Sequence, residues 1–538
     1  MTDTFDYVIV GAGSAGCVLA SRLTEDPTIR VCLIEAGPPD SHPLIHIPAG
    51  VAGLIGHKVL NWGYRTTPQD TLNGRAINLP RGRVLGGSSS INGMVYFRGN
   101  PADFDEWADL GNDGWSYQDV LPYFIRSEAN ATFRDPAFHG TTGPMAVSSY
   151  ASVNPLVNCF LEAAASLQYR AIADFNSGSP EGFGVRQANI RRGRRESSAT
   201  GYLRPALIRP NLCVLTGAAV DRIVFDGRRA CGVDYLRTGT AQRVVARREV
   251  LLCAGTYGSP ALLKRSGVGP ASELHALGIS VVRDLPGVGE NLQDHVVAPV
   301  QMKTDNPTSY GLSWKALPRL IANLAEYAVA HRGLLASNLF EATGMVRTRH
   351  DEKVPDLQLV FMPAHRNASG FPIPLGHGYG ILNVLLHPKS RGSVRLASAD
   401  PRSAPLIDPK FFADERDFEP LLAGIALSRR LFASKAFTRM EAWEIVPGPD
   451  AITPDELRAA IRQTAVTVHH PVGTCAMGRG KGAVVDPQLS VHGLHGLRVI
   501  DASVMPNVVR GNTAAAVMMI AEKASDLVRH AQDRQSTP

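Results

Sequence analysis

The sequence predicts an α/β fold in which a parallel sheet, covered on both faces, is interleaved with an α+β domain built on an antiparallel sheet. Three observations support this prediction. Uninterrupted apolar runs, typical of parallel strands, occur near the N-terminus, and the segments 247–267 and 496–506 offer two more buried strands. Between about 306 and 483 the pattern instead favours antiparallel strands mixed with helices. The chain of 538 residues also exceeds the roughly 250–300 residues at which one core stops growing.

The first element is a strand, turn, helix and strand at residues 6–37, DYVIVGAGSAGCVLASRLTEDPTIRVCLIEAG. Gly11, Gly13 and Gly16 form a GxGxxG pattern that permits a tight turn and lets a pyrophosphate approach the helix N-terminus. Glu35 stands at the tip of the second strand, where a carboxylate suits ribose hydroxyls and disfavours the 2′-phosphate of NADP. The unit predicts a Rossmann-like dinucleotide site, but it does not separate NAD from FAD.

The second element is a loop rich in glycine and serine, GRVLGGSSSINGMVYFRG at 82–99. Such a loop cannot build a core, but it can lay backbone N–H groups against phosphates and a flat ring. Further along, 356–363 and 380–398 predict antiparallel strands, the latter range holding two strands joined through a Pro-Lys-Ser-Arg-Gly turn. A helix is predicted at 420–432.

These elements divide the chain into five segments. The cofactor domain is predicted to comprise 1–150, 203–305 and 484–538, with a connecting, substrate-side segment at 151–202 and a substrate-binding domain at 306–483. The last part of the chain is therefore expected to return to the first.

Composition excludes several classes of protein. The formal net charge is +6, and the densest basic run, RRGRRE at 191–196, stands alone, so we predict a solvated loop and no nucleic-acid partner. The seven cysteines include no CxxC pair, which favours a reducing cytoplasm. The N-terminus enters a strand almost at once, so no signal peptide is expected. No apolar stretch reaches about 18 residues, so no membrane span is expected. The short apolar segment 44–56 predicts a buried loop, with contact to a membrane surface left open.

Five motifs occur in the order found in one known family. They are GRVLGGSSSIN (82–92), GTYGSPALLKRSGVG (255–269), LPGVGENLQDH (285–295), HHPVGTCAMG (469–478) and LRVIDASVMPNVVRGNT (497–513). In these motifs the sequence resembles the glucose-methanol-choline (GMC) flavoprotein oxidoreductases, and most nearly their bacterial choline-dehydrogenase-like alcohol dehydrogenases. The resemblance covers nearly the whole chain and is weakest from about 300 to 460.

The resemblance implies FAD as the cofactor. At the ADP end it implies contacts from Gly11, Gly13, Ser14, Ala15, Gly16, Glu35 and Ala36, with Val220 at the adenine. Beside the pyrophosphate and the ring it implies Arg83, Gly87, Asn92, Gly93, Met94, Val95, Asp501, Ala502, Asn512 and Thr513. Some members tether the flavin through a histidine directly before the Asn92 position. Here that residue is Ile91, which has no nucleophilic atom, so we predict noncovalent FAD.

Two adjacent histidines raise the question of a base. Alcohol oxidation by a flavin needs a group that takes the hydroxyl proton, and a neutral imidazole suits that task. The resemblance places the base at His470 and its partner at Asn512, an amide that can hold the substrate oxygen. Neighbouring residues of an extended segment point to opposite sides, so we assign His469 to packing or support. No metal is predicted, because His469, His470 and Cys475 cannot easily converge and lack a fourth ligand.

Two other side chains keep more than one interpretation. Glu341 could attract a cationic substrate or serve as a hydrogen-bonded structural carboxylate. His295, in LQDH, is predicted to cap or hydrogen-bond at the domain junction.

The predicted function is an FAD-dependent alcohol dehydrogenase that converts a primary alcohol to an aldehyde and passes electrons to a quinone or another acceptor. Choline dehydrogenase ranks lower because no aromatic cage is evident between 306 and 466. An oxygen-using oxidase, a flavin-dependent lyase and a non-catalytic flavin-binding protein are the remaining alternatives. The expected location is the cytoplasm, with peripheral contact at the inner membrane left open, and nothing in the sequence indicates the oligomeric state.

Overall fold

A computed structural model describes residues 3–364 and 375–536 of the chain. Two sheets of seven strands each organise the fold. We call them the cofactor-domain sheet and the substrate-domain sheet, and the strands of each are given below. The predicted fold class is confirmed.

The cofactor-domain sheet combines strands from three distant parts of the chain. Its order is Leu212–Leu215, Val31–Ile34, Thr4–Val10, Thr240–Leu252, Arg229–Arg237 and Ala218–Asp226, with Leu497–Val499 beside the end of Thr240–Leu252. The first four strands and Leu497–Val499 run parallel, whereas the other two are antiparallel. Val31–Ile34 is buried throughout its length, as its uninterrupted apolar run predicts.

The substrate-domain sheet is antiparallel. Its order is Trp443–Val446, Val296–Thr304, His377–Leu385, Leu357–Met362, Ala342–Val346 and Gly182–Val185, with Val466–Thr467 beside the start of Val296–Thr304. Val296–Thr304 therefore lies in this sheet, although the predicted boundary at 305 assigned it to the cofactor domain. We place the boundary before residue 296. Gly182–Val185 comes from the segment predicted to be substrate-side.

One predicted strand pairing is wrong. The strand His377–Leu385 ends before Pro388, and Ser393–Arg395 pairs with Leu406–Asp408 instead of folding back on it. The chain leaves the sheet because Gly392 exchanges backbone hydrogen bonds with Leu292, at 2.8 and 2.9 Å. Proline cannot donate to a ladder, which favours the end of the strand here.

Helices pack on both sheets. The longer ones are Ser14–Leu23, Pro101–Asp109, Tyr117–Ser127, Pro155–Ser166, Gly255–Arg265, Ala271–Ala276, Leu317–Ala330, Phe418–Phe432, Pro454–Thr464 and Thr513–Ser536. Shorter turns of helix are Pro43–His46, Val51–Leu54, Ala199–Leu203 and Arg204–Ala206. Phe418–Phe432 confirms the helix predicted at 420–432. Thr513–Ser536 packs against Ser14–Leu23, so the end of the chain returns to its beginning.

Smaller sheets accompany the two large ones. One has four strands, in the order Val95–Tyr96, Gln187–Ala188, Met145–Ser149 and Glu128–Asn130. Two-stranded ladders are Tyr64–Arg65 with Asn78–Leu79, Ile190–Arg191 with Arg194–Arg195, and Val268–Gly269 with Arg283–Asp284.

Three further features bear on the predictions made from composition. Within the described ranges, no helix combines the length and the apolar character needed to cross a membrane. The segment 44–56 folds into short helices whose Ile45 and Leu54 are buried against Val84 and Ile91. All seven cysteines are free thiols.

Candidate active site

A cavity of about 470 Å³ lies between the two sheets and takes lining residues from both. Val10, Ile34, Cys253 and Asp501 reach it from the carboxyl ends of parallel strands or the turns that follow them. This is where open α/β sheets bind ligands, at the carboxyl edge of the strands.

Most of the predicted cofactor residues lie on this cavity. They are Gly11, Gly13, Ser14, Ala15, Glu35, Ala36, Gly87, Asn92, Gly93, Met94, Val95, Val220, Asp501, Ala502, Asn512 and Thr513. Gly16 does not line it. A Cβ at Gly16 would lie 1.9 Å from the carbonyl oxygen of Gly11, so this glycine permits close packing of helix on turn. Arg83 also lies off the cavity, with its guanidinium 5.1 Å from the ring centroid of Trp62, which does line it.

The end of the cavity near the first strand fits a dinucleotide. A Cβ at Gly13 would meet nothing within 4 Å, so open space lies above the N-terminus of helix Ser14–Leu23. That helix has no acidic residue in its first turn and no side-chain cap, which leaves its N–H groups available to an anion. Glu35 accepts hydrogen bonds from the backbone nitrogens of Ala12 and Gly37, at 3.0 and 2.8 Å, and retains lone pairs for ribose hydroxyls. Burial raises the pKa of Glu35 to about 7.

The opposite end fits a flat ring beside polar groups. Helix Thr513–Ser536 begins at the cavity and has no acidic residue in its first turn. The Oδ1 atom of Asn512 is buried there without a hydrogen-bond partner among the described residues, so an acceptor stands ready for an N–H or O–H group. Asp501 already accepts hydrogen bonds from Ser259, at 2.5 Å, and from backbone nitrogens of Gly255 and Ser503. Its role here is to hold loops in place.

Arg195 supports the glycine-serine loop, and the prediction of a solvated basic run is wrong for this residue. Arg195 is only 3% exposed and donates hydrogen bonds to the carbonyl oxygen of Asn92, at 2.6 Å, and to its Oδ1, at 2.9 Å. It also donates to the carbonyl oxygens of Ser89 and Ile45. Arg192 and Arg194 are exposed, as predicted. The sequence contains no signal that separates Arg195 from its neighbours.

His470 lies at the ring end with both ring nitrogens engaged. Its Nε2 lies 3.0 Å from the Nδ2 of Asn512, and its Nδ1 lies 3.0 Å from the Nδ1 of His295. The backbone nitrogen of His470 donates to Asp294, at 2.7 Å, and Asp294 also accepts from the hydroxyl of Thr467. His295 and Asp294 belong to the LQDH motif. Its contact with His470 was not predicted from the sequence.

This chain of contacts determines the tautomer of His470. The Nε2 of His295 lies 3.2 Å from the carbonyl oxygen of Leu386, which can only accept, so that nitrogen carries the hydrogen. Burial lowers the pKa of His295 to about 4, so its Nδ1 has a lone pair. The Nδ1 of His470 must then donate, and the lone pair of its Nε2 accepts from the amide of Asn512. A substrate hydroxyl that entered between these two groups could accept from the amide and donate to the imidazole.

The environment of His470 disfavours its protonated form. Burial lowers the pKa of His470 well below its ordinary value, and His295 and Arg81 lower it further. Arg186 acts in the same direction. The neutral imidazole needed in a base is therefore the favoured form.

His469 lies on the same cavity, contrary to the expectation that the two histidines face opposite sides. Its φ of 67° is left-handed, so the segment does not alternate as an extended strand would. Its carbonyl oxygen accepts from Arg81 Nη2, at 2.7 Å.

Of the two interpretations of Glu341, the structure favours the hydrogen-bonded structural carboxylate. It is fully buried and accepts hydrogen bonds from the hydroxyls of Ser337 and Tyr310 and from the backbone nitrogen of Asn154, at 2.6, 2.9 and 2.8 Å. It does not line the cavity. In the described part of the chain, no group of three or more His, Cys, Asp or Glu side chains could hold a metal ion.

A dinucleotide cavity that ends at an imidazole and an amide defines a class of redox enzyme, and comparisons with known proteins identify the family. GMC oxidoreductase family models match residues 5–297 and 388–521. The chain is 43% identical over 534 residues to an "Alcohol dehydrogenase [acceptor]" of Pseudomonas putida, covering 99% of this chain and 97% of that protein. It is 44% identical to an "Oxygen-dependent choline dehydrogenase" of Serratia proteamaculans (strain 568), covering 98% and 96%.

A solved structure agrees. An FAD-dependent oxidoreductase from Chaetomium thermophilum matches with a TM-score of 0.89 at 27% identity, covering 98% of this chain and all of that chain. The chain belongs to the GMC oxidoreductase family. It is an oxidoreductase whose relatives act on alcohols and choline, and the family and its structural neighbours support FAD as the cofactor.

Proposed function

We propose that this protein oxidises a primary alcohol to an aldehyde, with His470 as the base and Asn512 as the group that holds the substrate oxygen. The proposal rests on one contact in the cavity. The Nε2 of His470 lies 3.0 Å from the amide nitrogen of Asn512. FAD, when bound, supplies the hydride acceptor. The protein binds the hydroxyl, orients it and takes its proton at Nε2 of His470.

The cofactor is proposed to bind noncovalently through the predicted residues that line the cavity. Ile91, which precedes Asn92 and also lines the cavity, has no atom that could form a bond to the ring. Gly16 and Arg83 are proposed to support the site from behind, through packing and through Trp62.

Substitution of His470 tests the proposed base. His470→Ala should retain FAD but slow anaerobic flavin reduction by primary alcohols about 10²- to 10⁴-fold, because a positioned base contributes a factor of that size. Exposed His350→Ala is the matched control and should reduce normally. Unchanged reduction in the His470 variant would refute the assignment.

Choline is the second candidate substrate, favoured by the name of the Serratia relative. Two arginines whose charges act on His470 disfavour it, because Arg81 and Arg186 would repel a quaternary ammonium. A panel of choline and neutral alcohols, followed by flavin bleaching without oxygen, ranks the two classes. Stoichiometric peroxide during turnover would instead indicate an oxidase, and product formation without bleaching would indicate a lyase.

A quinone is the proposed acceptor, delivered at the surface of an anionic phospholipid bilayer. Helix Leu317–Ala330 presents Leu317, Ile321 and Leu324 to solvent at helical spacing, and Trp314 just before it is 90% exposed. These four side chains form what we call the apolar face. Tryptophan and aliphatic side chains of this arrangement are typical of helices that lie in a membrane interface.

Basic residues border the apolar face. The hydroxyl of Tyr327 donates to the carbonyl oxygen of Gly193, at 3.1 Å, which brings exposed Arg192 and Arg194 beside the helix. Leu334–Ala336, just beyond the helix, contacts Pro48–Gly50 next to the cavity lining. Cations around an apolar face match an anionic headgroup layer, and the cavity lies close by.

Sedimentation with vesicles tests this contact. The protein should bind vesicles that contain phosphatidylglycerol, and Ile321→Glu with Leu324→Glu should abolish binding. Ile208→Glu, at an apolar residue 89% exposed just after helix Arg204–Ala206 of the cofactor domain, is the control and should bind normally. A wild-type protein that stays in the supernatant, or that forms a dimer lost in the double variant, would overturn the proposal.

A further inference from the structure

Arg186 is a buried cation on the cavity that no carboxylate of the described residues neutralises. It is 3% exposed, and its Nε and Nη2 both donate to one acceptor, the carbonyl oxygen of Phe340, at 3.0 and 2.7 Å. Its Nη1 makes no hydrogen bond to any described residue. Burying an uncompensated guanidinium is costly, so the position calls for a partner.

Other buried arginines in this protein have such partners. Arg98 pairs with Glu128, Arg510 with Asp103, and Arg498 with Glu249 at 2.6 Å. Arg195 has no carboxylate either, but it spreads its hydrogen bonds over several carbonyls and does not line the cavity.

The position of Arg186 in the sheet directs it toward the substrate end. Gly184 pairs with Thr343, Thr343 with Val360 and Val360 with Leu382, so these four residues form one row across the substrate-domain sheet. Arg186 comes directly after the strand that carries Gly184, and it lines the cavity. Val360 and Leu382 line the cavity, which identifies the face of this row as the one toward the substrate.

A second unpartnered donor lies on the same face. Gln358 precedes Val360 by two residues, lines the cavity and is 2% exposed. Its Nε2 is buried without a hydrogen-bond partner among the described residues. An unsatisfied buried amide of this kind indicates an acceptor that a ligand would supply.

No acidic side chain of the cavity lining stands ready to neutralise this end. Among the described lining residues, the acids are Glu35 and Asp501. Glu35 is held by the backbone of the first glycine turn, and Asp501 is held by Ser259 and the backbone of Gly255. The described side chains that line the substrate end are therefore neutral or basic.

We propose that Arg186 binds a carboxylate on the alcohol, so that the substrates of this protein are hydroxycarboxylates. Their primary hydroxyl lies at His470 and Asn512, and their carboxylate accepts two parallel hydrogen bonds from the planar guanidinium. Phe340, Val360 and Leu382 provide apolar contact for the carbon chain between the two groups. The hydroxyl end rests on the proposed function, whereas the carboxylate end does not.

Rate measurements test the complete assignment. A series of ω-hydroxycarboxylates is compared with 1-alkanols of equal chain length by anaerobic flavin reduction in the wild type, Arg186→Met and Arg186→Lys. The wild type should prefer the hydroxycarboxylate of the best length by about 10- to 100-fold in the second-order rate constant of flavin reduction, the range expected for a hydrogen-bonded charge. Arg186→Met should lose that preference, and Arg186→Lys should restore part of it because the charge is kept.

A binding measurement tests the carboxylate end alone. Hexanoate should bind the FAD-loaded wild type in a calorimetric titration, and hexanamide, its neutral counterpart, should bind at least about 10-fold more weakly. Arg186→Met should lose hexanoate binding, whereas Arg228→Met, at an exposed turn, should keep it.

The outcomes distinguish the two proposals. Equal rates for both wild-type series, or a wild type that binds hexanoate no better than hexanamide, would overturn the carboxylate site and leave alcohol oxidation standing. Hexanoate binding that depends on Arg186, with no flavin reduction by any alcohol, would support the site and overturn the proposed function. If Arg186→Met does not fold, Gln358→Met and Arg186→Lys decide between the outcomes. Each should weaken the preference for the hydroxycarboxylate, and an undiminished preference in both variants would contradict the site.

Discussion

The protonation state of His470 depends on hydrogen bonds that begin at a backbone carbonyl. Leu386 fixes the hydrogen of His295, and His295 in turn makes the Nδ1 of His470 a donor. The Nε2 of His470 thereby keeps a lone pair, which accepts from the amide of Asn512 in the cavity. Burial is the largest cause of the lowered pKa of His470, and this lowered pKa keeps the imidazole neutral.

The pH dependence of the reaction follows from that pKa. A base must be unprotonated to act, and a lowered pKa moves the loss of activity to lower pH. We expect the rate of flavin reduction at saturating alcohol to be constant from about pH 8 down to 6.5, the ordinary value for histidine, and to fall only below it. Anaerobic stopped-flow at a series of pH values measures this. An acidic limb centred at or above 6.5 would contradict the assigned environment.

Gly13 and Gly16 have different roles although both belong to GxGxxG. A side chain at Gly13 would enter open space, whereas one at Gly16 would collide with the Gly11 carbonyl oxygen at 1.9 Å. We expect Gly13→Val to give a folded protein without FAD, because only the pyrophosphate is obstructed. Gly16→Ala should instead destabilise the fold itself. Visible absorbance and circular dichroism of both variants check this, and full flavin occupancy in the Gly13 variant would defeat it.

At the scale of elements, Glu522 joins three helices. Its side chain is fully buried and accepts hydrogen bonds from Arg22 of helix Ser14–Leu23, at 2.8 Å, and from Arg126 of helix Tyr117–Ser127, at 2.7 Å. Tyr202 also donates to it, at 2.6 Å. Helix Thr513–Ser536, which carries Glu522, is therefore held where its N-terminus meets the cavity.

Removal of this carboxylate should be costly. Glu522→Ala removes the buried acceptor shared by Arg22 and Arg126, whose side chains are 18% and 34% exposed and which keep Glu25 and Asp526 as partners. It also leaves the buried hydroxyl of Tyr202 without its acceptor, so we expect the free energy of unfolding to fall by about 1–3 kcal/mol. Asp526→Ala removes another partner of Arg126, but one whose side chain is 26% exposed, and should cost about 0–1 kcal/mol. Urea unfolding of both variants measures the difference. Equal losses would show that the junction does not depend on the buried carboxylate.

The stability of the whole molecule should decrease on both sides of neutrality. Burial alone would lower the pKa of His139, but hydrogen bonds to Asp174 and Glu128 outweigh it and raise the pKa to about 9. Its stabilising contribution is complete below the unfolded value of 6.5 and is lost as pH rises through about 9. Unfolding measured from pH 6.5 to 9.5 should show this slope, and His139→Asn should reduce it. An unchanged slope in the variant would exclude this residue as the cause.

Acid should destabilise the protein through two histidines whose pKa values are lowered by folding, in contrast to His139. Burial lowers the pKa of His295 to about 4 and that of His387 to about 3, so both must remain neutral in the folded state. Unfolding lets them take up protons, so stability decreases as pH falls below 6.5. The most stable range is therefore expected close to pH 6.5.

Local sequence determined the parts of the fold whose contacts are close along the chain. The strands and helix around Gly11, Gly13 and Gly16 complete one unit within 32 residues, so their pattern suffices to predict the cofactor edge. Apolar and alternating runs likewise distinguish the parallel from the antiparallel sheet, because each pattern reports which faces of a strand are covered.

Only the tertiary structure decided which distant groups meet. His295 lies 175 residues from His470 and Arg195 lies 103 residues from Asn92, and no local period encodes either contact. The same applies to the pairing of Ser393–Arg395 with Leu406–Asp408. No pattern in the sequence marks Arg186. Its proposed role depends on its burial beside the cavity, where no carboxylate of the described residues pairs with it. The physical reason is that the tautomer of a histidine, and the cost of an unpaired charge, depend on every element packed around that side chain. A sequence pattern reports only on the element that contains it.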